Sequence, residues 1–166
     1  MRKISLVGLA ICLLLPAICS GQKQSVPSHV VKYRSPDGAI VAVVASSQAP
    51  EATVENVVEL RTRSAKLVTR RDYRSKDGEH GYGITKASWT PDSQFFVYSL
   101  ESSGGHSAWH SPVQFFSRRR NKILSLDDAL KDTVMNPQFI VAPPDKVTVE
   151  LYFSRKEVTV SLASLK

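Results

Sequence analysis

A proline-aspartate turn recurs three times in this chain, and each copy leads directly into a run rich in β-branched and aromatic residues. The copies are Ser-Pro-Asp-Gly at 35–38 (corner 1), Thr-Pro-Asp-Ser at 90–93 (corner 2) and Pro-Pro-Asp-Lys at 143–146 (corner 3). Proline fixes φ at the second turn position, and the aspartate can accept a hydrogen bond from the backbone two residues downstream. The runs that follow have the composition of β-strands. This repeated pattern predicts β structure along most of the chain.

A hairpin pattern follows each corner. In the first two units an apolar run reaches a basic turn, at residues 63–66 and 118–121, and returns as a second apolar run. In the third unit the pattern is shorter: residues 151–153 are expected to turn through 154–156 into a strand at 158–162. Regularly spaced strand pairs of this kind are typical of β-sheet repeats.

The corners, each with its apolar strand and hairpin, resemble the blades of TolB-type (PD40, WD40-like) β-propellers. The resemblance covers most of residues 30–165 and implies antiparallel sheets built from two to three such repeats. A propeller closes with about four blades or more, whereas this chain has room for two blades and a fragment. We therefore expect an all-β fold whose antiparallel sheets pack as a sandwich or as an incomplete propeller. Assembly of several chains is the alternative.

One short helix is predicted at residues 126–131. Ser125 is a suitable N-cap, and Asp127 and Asp128 fall in the first turn, where negative charge is favourable. Lys131 stands near the predicted end, and the Met-Asn-Pro sequence at 135–137 terminates the segment. Loops are expected at residues 46–53 and 102–112.

The first twenty residues have the pattern of a secretory signal peptide. Two basic residues precede an apolar stretch at 4–15, which is too short to cross a hydrocarbon core of ~30 Å. Cleavage is expected between Cys19 and Gly21. Pro16 and Ile18 do not match a lipid-attachment site, which favours cleavage over lipidation at Cys19. The predicted organisation is a signal peptide at 1–20, a flexible mature N-terminus at 21–29 and one β domain at 30–166, in a secreted or periplasmic protein.

Removal of this leader would also remove both cysteines of the chain, Cys12 and Cys19. Disulfides, cysteine nucleophiles and cysteine-rich zinc sites are therefore not expected. No later stretch is apolar enough to predict a transmembrane segment. The formal net charge is +7, but nucleic acid is not an expected partner of an exported protein. The arginine clusters at 70–71 and 118–120 are interpreted as solvated turn residues, with anionic glycans or lipid headgroups as the alternative.

Two glycine-containing loops, at 77–83 and 102–110, hold the residues most suited to recognition. The candidate binding residues are Glu79, His80, Tyr82, Gly104, Gly105, His106, Trp109 and His110. Glycine gives the backbone conformational freedom, and exposed tryptophan, tyrosine and histidine are favoured at interfaces. Trp109 as a lid on the core is the alternative. The second loop is also similar to the protruding loop of periplasmic lysozyme-inhibitor β-sandwiches, over about ten residues.

These loops predict an exported, non-catalytic binding module of the cell envelope, with a protein or polymer as its partner. A metal-assisted or serine-type hydrolase that uses His80, His106 and His110 is one alternative, and a periplasmic inhibitor of an enzyme such as a lysozyme is another. The two glycines before His106 and the Ser-Pro after His110 argue against a metal-binding helix, and the chain has no Gly-x-Ser-x-Gly nucleophile elbow. No catalytic residue, metal or cofactor is therefore predicted. Whether the two loops share a surface is left open.

Overall fold

The computed structural model describes residues 29–47, 54–105 and 109–165. The predicted leader, the N-terminal segment through residue 28 and the candidate His106 lie outside these ranges. Within them the chain forms eleven β-strands, one α-helix and one 3-10 turn. The strands are β1 (His29–Arg34), β2 (Ile40–Ser47), β3 (Glu55–Thr62), β4 (Leu67–Asp72), β5 (Tyr82–Trp89), β6 (Phe95–Ser102), β7 (Val113–Ser117), β8 (Lys122–Ser125), β9 (Ile140–Ala142), β10 (Lys146–Glu150) and β11 (Glu157–Ser161); the helices are α1 (Leu126–Leu130) and the 3-10 turn Leu162–Ser164.

The strands form three antiparallel sheets in which strands adjacent in sequence pair with each other. Sheet A has the order β1-β2-β3-β4, sheet B has β5-β6-β7-β8, and sheet C has β9-β10-β11. The predicted all-β class with one short helix is therefore confirmed. None of the helices in the described part of the chain has the length and apolar character needed to cross a membrane.

Sheet B is the middle layer and is covered on both faces. Along β6, Phe96, Tyr98 and Leu100 pack in the core shared with sheet A, whereas Phe95 and Val97 pack in the core shared with sheet C. Successive side chains of a strand point to opposite faces, so a strand buried on both faces must be apolar at nearly every position. This arrangement explains the uninterrupted apolar sequence of β6.

Hydrogen bonds as well as apolar contacts join sheets A and B. The indole N–H of Trp89 donates to the carbonyl of Tyr33 at 2.9 Å. The hydroxyls of Tyr73 and Tyr98 are 2.7 Å apart, so the phenol of Tyr98, which is completely buried, has a polar partner. Aromatic side chains with a polar end require such partners inside a core.

Corners 1 and 2 have the same hydrogen bonds. The hydroxyls of Ser35 and Thr90 each donate to the aspartate two residues later, at 2.6 Å. The same aspartate oxygen, of Asp37 or Asp92, accepts a backbone N–H two residues further on at 3.0 Å. The last residue of each corner has a left-handed φ, +69° at Gly38 and +64° at Ser93. The bonding expected of an aspartate in such a turn is therefore present in both corners.

Corner 3 is built differently. Asp145 accepts hydrogen bonds from the Ser161 hydroxyl at 2.6 Å and the Ala163 N–H at 2.8 Å, so it holds the 3-10 turn and not its own corner. Tyr152 and Phe153 were expected in strands, but they lie in the β10–β11 turn. The reason is that Leu151 forms an isolated β-bridge with Val134, and its N–H donates to the carbonyl of Lys156, which closes the turn.

The predicted helix is present but shorter than expected. Ser125 caps it, accepting the N–H of Asp128 at 3.2 Å. The helix ends at Leu130, because Lys131 adopts a left-handed φ of +54°, well before the predicted terminator at 135–137. Both predicted loops are also shorter than expected. Strand β2 continues through residues 46 and 47, which pair with the start of β3, and β6 continues to Ser102.

The three corners lie together at one end of the molecule, here called the corner end. The N–H of Asp37 donates to the hydroxyl of Ser93 at 3.0 Å, which joins corners 1 and 2. The N–H of Asp92 donates to the carbonyl of Pro144 at 3.3 Å, which joins corners 2 and 3. Because the strands alternate in direction, the β4–β5, β6–β7 and β10–β11 connections lie at the opposite end, the loop end.

Candidate functional site

Both loops chosen from the sequence lie at the loop end, and they meet there. Strands β5 and β6 separate the two connections, so the chain crosses the sheet twice and returns to the same end. Ser103 donates its N–H to the carbonyl of Gly81 at 3.0 Å, and the N–H of Gly81 approaches the Ser103 hydroxyl at 3.1 Å. The two loops therefore do lie at the same end of the molecule, and they touch at Gly81 and Ser103.

A buried carboxylate, Glu55, ties the two loops together. It is 2% exposed and accepts four hydrogen bonds. The donors are the N–H of Ser75 at 2.7 Å, the hydroxyl of Ser75 at 2.7 Å, the N–H of Gly81 at 2.6 Å and the hydroxyl of Ser103 at 2.9 Å. The local sequence does not identify this residue, because nothing near it distinguishes it from a solvated glutamate at a strand start.

Glu55 is held as a charged anchor. Burial is the largest single influence on its pKa and acts to raise it, but the hydrogen bonds from Ser75, Ser103 and Gly81 together outweigh burial and lower the pKa below its usual value. A Cβ at position 81 would lie 2.4 Å from both the Glu55 carboxyl carbon and the Tyr73 carbonyl oxygen. Because the carboxylate is buried and its four hydrogen bonds all go to the two loops, it stabilises the loop end.

The residues of the first candidate loop have separate surroundings. Glu79 and His80 are exposed, and His80 Nδ1 lies 2.7 Å from Asp77 Oδ2. The pKa of Asp77 is lowered by the N–H of Glu79, the largest contribution, and further by Ser75 and His80. Tyr82 was predicted as a loop residue, but it is the first residue of β5 and is half-buried against the core between sheets A and B.

In the second loop, His110 is bound to the helix. Its Nε2 lies 2.8 Å from Asp127 Oδ2, and the Asp127 carboxylate also accepts the N–H groups of Val113 and Val134. His80 and His110 therefore pair with different aspartates. In residues 29–47, 54–105 and 109–165, no three histidine, cysteine, aspartate or glutamate side chains are grouped closely enough to hold a metal ion.

Next to His110 lies a group of aromatic side chains with one arginine, which we call the aromatic surface: Trp109, His110, Tyr152, Phe153 and Arg155. Trp109 stacks on His110, with ring centroids 5.6 Å apart and an interplanar angle of 22°, and it lies 5.4 Å from Tyr152. Tyr152 contacts Phe153 edge-on, with ring centroids 5.3 Å apart. The guanidinium carbon of Arg155 lies over the Tyr152 ring, 4.9 Å from its centroid.

Two of these rings, Trp109 and Phe153, are largely exposed, and the backbone at Tyr152 and Phe153 is fixed by hydrogen bonds. Trp109 is 51% and Phe153 is 74% exposed, so Trp109 is not a lid on the core. The N–H of Tyr152 donates to the carbonyl of Thr133 at 2.7 Å, and the N–H of Phe153 donates to Asp132 at 3.3 Å. Gly104 and Gly105, the remaining candidates, are exposed in the turn that precedes Trp109.

Comparison of the chain with models of known protein families and with curated proteins found no match. The residues themselves must then indicate the function. Of the eight candidates, the structure places Trp109 and His110 in the aromatic surface. It adds Tyr152, Phe153 and Arg155, which the sequence had assigned to a shortened hairpin.

Proposed function

We propose that this protein is an exported, non-catalytic binding module of the cell envelope and that its aromatic surface contacts a protein partner. The observation that carries the proposal is the large exposure of Trp109 and Phe153, the second of which stands on hydrogen-bonded backbone. Large exposed apolar side chains that the fold does not use commonly mark interaction sites.

The composition of the aromatic surface favours a protein over a sugar polymer. Tryptophan, tyrosine and arginine are the residues most often found as binding hot spots in protein interfaces. Phe153, the most exposed large apolar residue of the described chain, has no polar group with which to hold a sugar hydroxyl. Rings that are already positioned lose little conformational entropy when they bind.

Charge indicates the character of the partner. Without the predicted leader, which holds Arg2 and Lys3 and no acidic residue, the formal net charge falls from +7 to +5. This positive charge attracts acidic surfaces. Arg155, which lies over Tyr152, can pair with a carboxylate at the edge of the contact. We therefore propose an acidic protein surface as the partner.

The cellular setting and the repeat relationship belong to the same proposal. The leader pattern at 1–20 supports export. The matching hydrogen bonds of corners 1 and 2 support the likeness to TolB-type blades. On this view sheets A and B are two four-stranded blades, and sheet C is a third blade with three strands.

The test compares two surface variants that remove apolar area from different places. Trp109→Ala with Phe153→Ser disrupts the aromatic surface, whereas Ile140→Ser removes an apolar side chain that is 61% exposed on β9. Proteins captured from envelope extract by the unaltered chain are purified, and their affinities are measured by calorimetry. We expect the double variant to weaken binding at least about tenfold, with a melting temperature close to that of the unaltered protein. Ile140→Ser should bind normally.

Equal binding by the two variants would contradict the proposal, and so would capture that disappears after glycan digestion of the purified partner. An enzyme that binds and is inhibited would identify the inhibitor alternative as the form that the binding takes. A large fall in melting temperature for Trp109→Ala alone would assign that side chain to the core.

A further inference from the structure

A cavity of about 420 Å³ opens at the corner end, between sheets B and C. It lies between corner 2, the basic turn at 118–121 and the 3-10 turn Leu162–Ser164, and is thus at the opposite end from the aromatic surface. Its volume is within the range of small-molecule sites. We refer to it as the corner-end cavity.

The inner wall of the corner-end cavity is apolar. Phe95, Phe115 and Leu162 line it and are 6%, 1% and 1% exposed. The two phenylalanines pack edge to face at 6.1 Å on the face of sheet B that meets sheet C. This wall can cover an acyl chain or an aromatic ring.

Ser117 is a polar residue in the same wall. It is the cross-strand neighbour of Phe95, lines the cavity and is only 3% exposed. Among the described residues the fully buried hydroxyl without a partner is that of Ser99, not that of Ser117, so the Ser117 hydroxyl stays open to the cavity that it lines. A ligand in the cavity can accept a hydrogen bond from this hydroxyl.

Two arginines stand at the rim of the corner-end cavity. Arg120 donates to the carbonyl of Leu165, which fixes its position. Arg119 makes no ion pair within the described residues, although the adjacent Arg118 pairs with Asp37. Asp92 is the acidic residue of the lining, and its Oδ1 already accepts two hydrogen bonds within corner 2. The rim therefore presents net positive charge.

We propose that the corner-end cavity binds a small organic anion, a carboxylate with an apolar acyl or aryl body. The carboxylate pairs with Arg119 and accepts a hydrogen bond from Ser117, and the apolar body packs against Phe95, Phe115 and Leu162. A guanidinium can bind a carboxylate through two parallel hydrogen bonds, which gives both affinity and orientation. This function is additional to the contact made by the aromatic surface and is independent of it.

The experiment titrates the full chain with octanoate below its micellar concentration and follows binding by calorimetry and backbone NMR. Octan-1-ol tests the need for the charge, and acetate and inorganic phosphate test the need for the apolar body. We expect saturable octanoate binding with shifts at Ser117, Arg119 and Leu162. Octan-1-ol, acetate and phosphate should each bind at least about tenfold more weakly.

Arg119→Gln should weaken octanoate at least about tenfold, and Ser117→Ala should weaken it by a smaller factor. Arg63→Gln is the matched control, because Arg63 occupies the corresponding basic turn of sheet A and likewise makes no ion pair within the described residues. Its affinity for octanoate should not change.

Three results would overturn the proposal. Absence of octanoate binding is the first, and equal affinity for octanoate and octan-1-ol is the second. The third is equal loss in Arg119→Gln and Arg63→Gln, which would indicate general attraction of anions to a basic protein. None of these results bears on the aromatic surface, whose residues are not changed.

Discussion

Replacing Glu55, the buried carboxylate of the loop end, should destabilise the fold by a predictable amount. Its Oε2 accepts the N–H of Ser75, while its Oε1 accepts the N–H of Gly81 and two hydroxyls. Glutamine has the same shape, but its amide nitrogen must face one of those backbone N–H groups in either orientation. Since an unpaired buried donor costs about 1–3 kcal/mol, Glu55→Gln should lower the free energy of unfolding by that amount at pH 7.

Glu55→Ala removes every acceptor and leaves a gap, so the expected loss rises to about 3–4 kcal/mol. The Gly81 N–H can keep the Ser103 hydroxyl as a partner at 3.1 Å, which limits this loss. Glu101→Gln is the matched control. Glu101 is an exposed glutamate on β6, in sheet B, and its replacement should change stability by less than about 0.5 kcal/mol.

The pH dependence follows from the lowered pKa of Glu55 in the folded protein. Because the folded pKa is below the unfolded value of 4.5, the carboxylate stabilises the fold fully above that pH, and this contribution is lost as pH falls through the folded pKa. The difference between the unaltered protein and Glu55→Gln should therefore be largest near neutral pH and shrink below pH 4.5. Asp37 and Asp72, each with a pKa of about 2, titrate alike in both proteins and cancel from the difference.

Urea unfolding measured between pH 7 and pH 3 provides the test, with β-sheet circular dichroism and tryptophan fluorescence as signals. Hydrogen exchange of the Ser75 and Gly81 amides adds a local measurement and should accelerate in Glu55→Gln. The reasoning is refuted by a stability difference that stays constant over this pH range. A Glu55→Gln variant as stable at pH 7 as the Glu101→Gln control would refute it equally.

Four other substitutions test the packing, each measured by the same unfolding assay. Gly81→Ala should lower the free energy of unfolding by about 1–3 kcal/mol or more, because the new Cβ would lie 2.4 Å from neighbouring atoms. Gly105→Ala should lower it by less, because a Cβ there meets open space and only the φ of +67° is unfavourable. Tyr98→Phe should lower the free energy of unfolding by about 1–2 kcal/mol, because the Tyr73 hydroxyl would lose the hydroxyl partner that lies 2.7 Å away. Ser99→Ala should be neutral or stabilising by up to about 1 kcal/mol, because the Ser99 hydroxyl is buried without a partner in the described residues.

Much of the fold could be predicted because its signals are local. The bonds of corners 1 and 2 lie within six residues of sequence, and the strand runs after them have a distinct composition. The cap of α1 is equally local, since Ser125 and Asp128 are three residues apart. The helix end could not be placed, because the left-handed conformation of Lys131 has no marker such as glycine.

The contacts of the loop end could not be predicted, because they join residues far apart in sequence. Glu55 bonds residues 20, 26 and 48 positions away, and a glutamate at a strand start is usually solvated. Similarly, the sequence pattern identified His80 and His110 as equivalent candidates. Their different partners, Asp77 and Asp127, depend on how the connections cross the sheets.

The aromatic surface was missed for a different reason, which lies in the alignment of the repeats. Residues 151–162 were compared with the hairpins at 63–66 and 118–121, which connect the third and fourth strands of sheets A and B and lie at the corner end. Strand β10 follows a corner, as β2 and β6 do, so the β10–β11 turn corresponds instead to the β6–β7 connection. Equivalent connections of adjacent sheets lie side by side at the same end, which brings Tyr152 to within 5.4 Å of Trp109. When the strands are numbered from their corners, the repeat pattern alone predicts that these two aromatic residues lie at the same end of neighbouring sheets.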